Sequence, residues 1–182
     1  MLIAKEKKKS NIAEYVIYMW QVEDLLRAFN FDSDKLYMAI FGTQNYSSEK
    51  VEEIKYWYAN LSEMMKIENV LEKGHVQVIK NIVNDMTDLH FNLLHEVKDP
   101  RYAQIIQMSA DNLIEFRAGN SVSNDISDVE LAIMALYGVL MLKLQKKIVS
   151  KETTTAINGF SKMLAYLSKK YKEMEDKDLD KE

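Results

Sequence analysis

The chain has 182 residues, 47% hydrophobic and 29% charged, with one proline, five glycines and no cysteine. That balance describes a helix-rich globular protein long enough to bury a core unaided, and it excludes disulfide frameworks, thiol catalysis and cysteine-ligated metal centres. A formal charge of −4 argues against a dedicated nucleic-acid binder, which carries a basic domain or face.

Residues 1–10 are expected to form a basic arm, since Lys5 and Lys7 to Lys9 make the chain's only basic run. No apolar segment of signal-peptide length follows it directly, so the default expectation is cytoplasmic residence. Nucleic acid could be met only through this arm and is not an expected partner.

A first helix is predicted from Asn11 to about Phe29. Asn11 and Glu14 form a capping box, and Ile12, Tyr15, Val16, Met19, Val22 and Leu26 share one face at 100° per residue. A short second helix opens at Asp32 or Ser33 and closes at Gly42. The third is expected from Ser48 to about Lys73, stopped by Gly74, and the fourth from His75 to Val97. With only Gly74 between them, these two should form a long antiparallel hairpin. The second and third helices have a helix-turn-helix outline, but the outer side of the third carries Glu49, Glu52, Glu53 and Glu63, which phosphate would repel.

Asp99-Pro100 starts a fifth helix, aspartate as cap and proline in the first turn, ending at Gly119. The sixth, about 127–149, opens with a capping box at Ser127 and Glu130, and no charged residue occurs from Leu131 to Leu142. A helix apolar on every side is buried on every side. The run is also too short for the ~20 residues a bilayer requires, so no membrane span is expected. Ala132, Ala135 and Gly138 make a small-residue stripe suited to close approach by Gly159 on the seventh helix, which Ser150 caps. From Lys169 the chain should fray, leaving 172–182 as a charged tail. No segment alternates as a strand would. The fold class is therefore all-α: one domain, residues 1–182, in an antiparallel bundle of six to seven helices around the central apolar helix.

Nucleotide-binding, hydrolase and zinc-protease motifs are absent, and only Glu72 and His75 have di-iron spacing, with Gly74 breaking the helix between them. No catalytic residue, metal or cofactor is predicted. What stands out is polar residues on apolar faces, because buried ionisable groups must be paired or change protonation. Glu23 is expected to pair with Arg27 one turn on. His90 lies between Val83, Met86 and Leu93, level with Tyr58 in the hairpin. Arg117 falls within the arc of Ile106, Leu113 and Ile114. With the aromatic pair Tyr15 and Trp20, the candidate ligand-binding residues are Tyr15, Trp20, Glu23, Arg27, Tyr58, His90 and Arg117.

The opening MLIAKEKKKSNIAEYVIYMWQVEDLLRA, Met1 to Ala28, resembles a family of short all-helical proteins of unknown function from Bacteroidetes, most densely over Tyr18 to Arg27. The resemblance implies a cytoplasmic bacterial helical protein and transfers no catalytic residue. The expected function is regulatory or scaffolding, through contacts with a protein partner or a second copy. The alternative is a small-molecule or metal-binding bundle with its pocket near Glu23, Tyr58 and His90.

Overall fold

The structure, a computed structural model, describes residues 2–179, with side chains over 3–177. Among the described residues there are eight α-helices and no strand: α1 Leu2–Ser10, α2 Ile12–Ala28, α3 Ser33–Phe41, α4 Ser48–Ile67, α5 Gln77–Phe91, α6 Pro100–Gly119, α7 Asp128–Leu144 and α8 Lys151–Leu179. A π-helical turn, Asn92–Glu96, extends α5. None of these helices is long and apolar enough to cross a membrane.

Helix starts obey local capping chemistry. Asn11 accepts the Glu14 N–H at 3.1 Å, Asp32 that of Lys35 at 3.0 Å, Ser127 that of Glu130 at 3.1 Å and Ser150 that of Thr153 at 3.1 Å. Asp99 accepts from both Arg101 and Tyr102 at 3.0 Å. The ends of α4 and α7 depart from expectation. The third predicted helix stops at Ile67, six residues early, because Asn69 turns left-handed (φ 56°) and the Val70 N–H reaches back to Met65 O at 2.9 Å. That is a Schellman ending without glycine. Ser121 (φ 51°) and Lys146 (φ 57°) end α6 and α7 the same way, with Val122 N–H on Arg117 O and Lys147 N–H on Leu142 O. Gly74 is left-handed too (φ 83°), but inside the connection 68–76.

That connection removes the expected hairpin. Helix α4 packs against α2 and α3, whereas α5 packs against α2, α7 and α8. The basic arm is also corrected: residues 2–10 are helical, separated from α2 only by extended Asn11, and Ala4 is buried. The C-terminal helix does not fray at Lys169. Lys170 and Glu173 pair at 3.1 Å, and α8 continues to Leu179; residues 180–182 of the expected tail lie outside the described residues.

Helix α7 is sealed over its first two turns, with Val129, Leu131, Ala132, Ile133 and Ala135 all buried. Beyond these only Val139 is buried and the helix opens on one side, contrary to expectation: nothing lies within 4 Å of a Cβ built at Gly138, Leu144 is exposed, and Ile148 just past the end is 98% exposed. It contacts α2, α5, α6 and α8, whereas α2 packs against α1, α3, α4, α5, α7 and α8. The hub is thus α2. Its N-terminus is tied to α8 by the Ala13 N–H on Ser168 Oγ at 3.2 Å.

Gly159 serves a different close approach from the one expected. A Cβ there would sit 2.8 Å from Ser109 Oγ on α6, a hydroxyl that donates to Ile105 O at 3.0 Å. Gly159→Ala should therefore destabilise the protein by ~1–3 kcal/mol in chemical denaturation through overpacking. In a Ser109→Ala background, where the hydroxyl is gone, the same change should stabilise by up to ~1 kcal/mol through helix propensity.

Candidate functional site

The last turns of α2 present three charged side chains to the connection 68–76 and to α7. Glu23 follows Val16 and Met19 on the inward face and is 0% exposed. Its Oε1 accepts the Val76 N–H at 2.9 Å, and its Oε2 meets His75 Nδ1 at 2.5 Å. Val76 is the cap position of α5 and has no side-chain acceptor to offer. A carboxylate from α2 takes that role, and Glu68 accepts the next N–H, that of Gln77, at 2.5 Å. Negative charge at a helix N-terminus satisfies free donors and opposes the helix dipole.

Arg27 does not pair with Glu23, correcting the expected ion pair. Its Nη1 meets Asp24 Oδ1 at 2.8 Å; Nε donates to Leu71 O at 3.2 Å, and Nη2 to Val70 O at 3.0 Å and to Gly74 O. The neighbouring Asp24 was the better placed partner, and Glu23 was already engaged by α5. The other oxygen of Asp24 accepts the Tyr137 hydroxyl of α7 at 2.5 Å. Burial first, and that bond second, raise the Tyr137 phenol well above its usual range.

Trp20, one turn before Glu23 and Asp24, stacks on the His75 ring at 4.2 Å and 6° and meets Tyr137 edge-on at 5.8 Å. Its indole N–H is buried without a hydrogen-bond partner. Beside this stack lies a groove of 260 Å³ lined by Trp20, Gly74, His75, Ile79, Lys80, Val83, Asn84 and Glu130.

Tyr15 lies elsewhere, in a 360 Å³ groove with Ala4, Lys5, Lys8, Met19, Trp57, Asn60, Leu61, Met64 and Val78. Lys8 sits 6.0 Å above its ring. Arg117 borders a third, 730 Å³ groove, but its guanidinium is spent on Ser123 O (2.6 Å) and Asp128 Oδ1 (2.9 Å), clipping the loop before α7.

Tyr58 and His90 are not partners. Tyr58 is buried against Trp57, ring centroids 5.1 Å apart, while His90 Nδ1 bonds the Tyr102 hydroxyl at 2.7 Å. Tyr102 stacks on Tyr166, whose hydroxyl donates to Asp99 at 2.8 Å, so His90 belongs to a structural chain joining α5, α6 and α8. The expected pocket around Glu23, Tyr58 and His90 therefore does not form, because the hairpin that set its register is absent. Among the described residues no group of three or more histidine, aspartate or glutamate side chains is placed to hold a metal ion.

Sequence reasoning missed His75, Asp24, Tyr137 and Lys80. The available signal was local: YMWQVEDLLR supplies Trp20, Glu23, Asp24 and Arg27, all four of the α2 side chains in this cluster. The model of one protein family, a domain of unknown function (DUF4924), matches residues 1–178. The chain belongs to that family. No curated protein and no solved structure matches it.

Burial lowers the His90 imidazole below its usual value near 6.5, with His95 adding and Asp128 opposing. The unfolded chain then takes up the proton before the folded one, so this contribution to stability is full above about pH 6.5 and is lost as pH falls. Proton NMR should show His90 titrating below 6.5, and His90→Asn should reduce the loss of unfolding free energy between about pH 7 and pH 5. A His90 midpoint at or above 6.5 would contradict the assignment.

Proposed function

We propose that this is a protein-binding module, regulatory or scaffolding in role, which docks an acidic amphipathic helix from a partner in the groove bordered by α1, α2, α4 and α5. The observation that carries this reading is that the chain's one basic run, folded as α1, borders an apolar groove with an aromatic floor. Lys5 and Lys8, three residues apart on one side of α1, line the groove together with Tyr15, Met19, Trp57, Leu61, Met64 and Val78. Met64 and Val78 are exposed, and Ile67, one turn beyond Met64 on α4, is 71% exposed.

Apolar anchors entering such a groove recover hydrophobic free energy, and methionine and aromatic linings adapt to varied side chains. The lysines favour glutamate or aspartate flanking those anchors. Phosphate is a poorer match, since the floor is apolar and the chain as a whole carries −4.

A synthetic acidic amphipathic peptide of about 18 residues, long enough to hold a helix, tests the reading by fluorescence anisotropy. Saturable, salt-sensitive binding is expected, weakened about tenfold or more (~1.4 kcal/mol) when Lys5 and Lys8 are both changed to glutamate. Equal binding of a scrambled peptide, indifference to the lysine changes, or no binding at all would contradict it. Sedimentation in parallel reports whether a second copy occupies the face instead.

A further inference from the structure

We propose that the groove beside Trp20 is a binding site for a small zwitterion, an α-amino acid with an apolar side chain. The site shares no lining residue with the lysine-rimmed groove, so the two readings stand or fall separately.

Two side chains of opposite charge border it without being used by the fold. Lys80 from α5 and Glu130 from α7 line the same groove, and neither side chain is in an ion pair among the described residues. Opposite charges facing one small space and not neutralising each other suit a ligand that carries both. His75 lines the same groove. Glu23 takes the Val76 N–H on Oε1 and holds His75 Nδ1 with Oε2. The paired carboxylate thereby fixes the orientation of the ring and leaves Nε2 available to a ligand. The imidazole side chain is 27% exposed and lines the groove.

The ligand chemistry follows from this inventory. An ammonium offers hydrogens to the Glu130 carboxylate. A carboxylate accepts from Lys80, with the Asn84 amide and His75 Nε2 adding to either end. Ile79 and Val83, both buried, give an apolar wall for a side chain. The volume of 260 Å³ is below the ~300–1,000 Å³ of drug-sized sites, which points to a molecule of amino-acid size. The stacked Trp20 and His75 rings are rigid, so little ordering is needed on binding.

Trp20 is one of only two tryptophans, so a Trp57→Phe variant makes it the sole reporter. That variant is titrated with leucine, methionine and phenylalanine, and with 4-methylpentanoate and 3-methylbutylamine, which keep the apolar group of leucine and lose one charge each. A saturable change in Trp20 emission is expected with at least one of the amino acids, and binding about tenfold or more weaker for both singly charged analogues. Lys80→Ala and Glu130→Gln, each on the groove rim, should separately weaken binding about tenfold with the melting temperature unchanged. The proposal is overturned if none of the three amino acids gives a saturable signal, if either analogue matches them, or if neither rim substitution alters the affinity.

Discussion

The start of α5 cannot cap itself, and the rest of the molecule is arranged around that deficit. The first N–H groups of a helix have no partners within the helix, and a buried unpaired donor costs ~1–3 kcal/mol. Val76 carries no acceptor, yet it is fully buried. Glu23, three helical turns into α2, puts its carboxylate there, and Glu68 covers the next donor. Arg27, one turn further on, takes the carbonyls of Val70, Leu71 and Gly74 from the same connection. One face of α2 thus satisfies both polarities of the backbone between α4 and α5, and that crossing is set by α2 instead of by a hairpin turn.

Both grooves inherit their shape from this anchor. The first turn of α5 contributes Val78 to the lysine-rimmed groove and Ile79 and Lys80 to the one beside Trp20. Consecutive residues of α2 divide in the same way, Met19 lining the first groove and Trp20 the second. Helix α2 therefore separates two grooves that differ in chemistry: one apolar and cationic, the other small, polar and of mixed charge. Asp24 and Tyr137 extend the anchor to α7, which keeps the edge-on ring packing beside Trp20 in register.

The helices, most of their caps and the inward apolar arcs were legible because capping chemistry and the 3.6-residue period are local properties. The ends of α4 and α7 were not, since Asn69 and Lys146 adopt the left-handed conformation that sequence reasoning reserves for glycine. One such misreading carried far. Extending α4 to Gly74 created the hairpin, the hairpin set Tyr58 level with His90, and that pairing placed the pocket wrongly. Glu23 was correctly singled out as a carboxylate on an apolar face. Its partners were hidden because His75 and Val76 are some fifty residues away in the chain, whereas Arg27 was the nearest opposite charge on the same helix. Gly159 shows the same limit: its small size was visible, but not that Ser109 is the group pressed against it.

Amide hydrogen exchange at Val76 tests the anchoring role of Glu23 most directly. In the wild-type chain this amide should exchange as slowly as the buried turns of α5 that follow it. Glu23→Gln retains an acceptor and should leave most of that protection, whereas Glu23→Ala should lower it about ten- to a hundredfold, the equivalent of ~1–3 kcal/mol, without comparable change in α8. Fast exchange at Val76 in the wild-type chain, or protection indifferent to Glu23→Ala, would contradict the account.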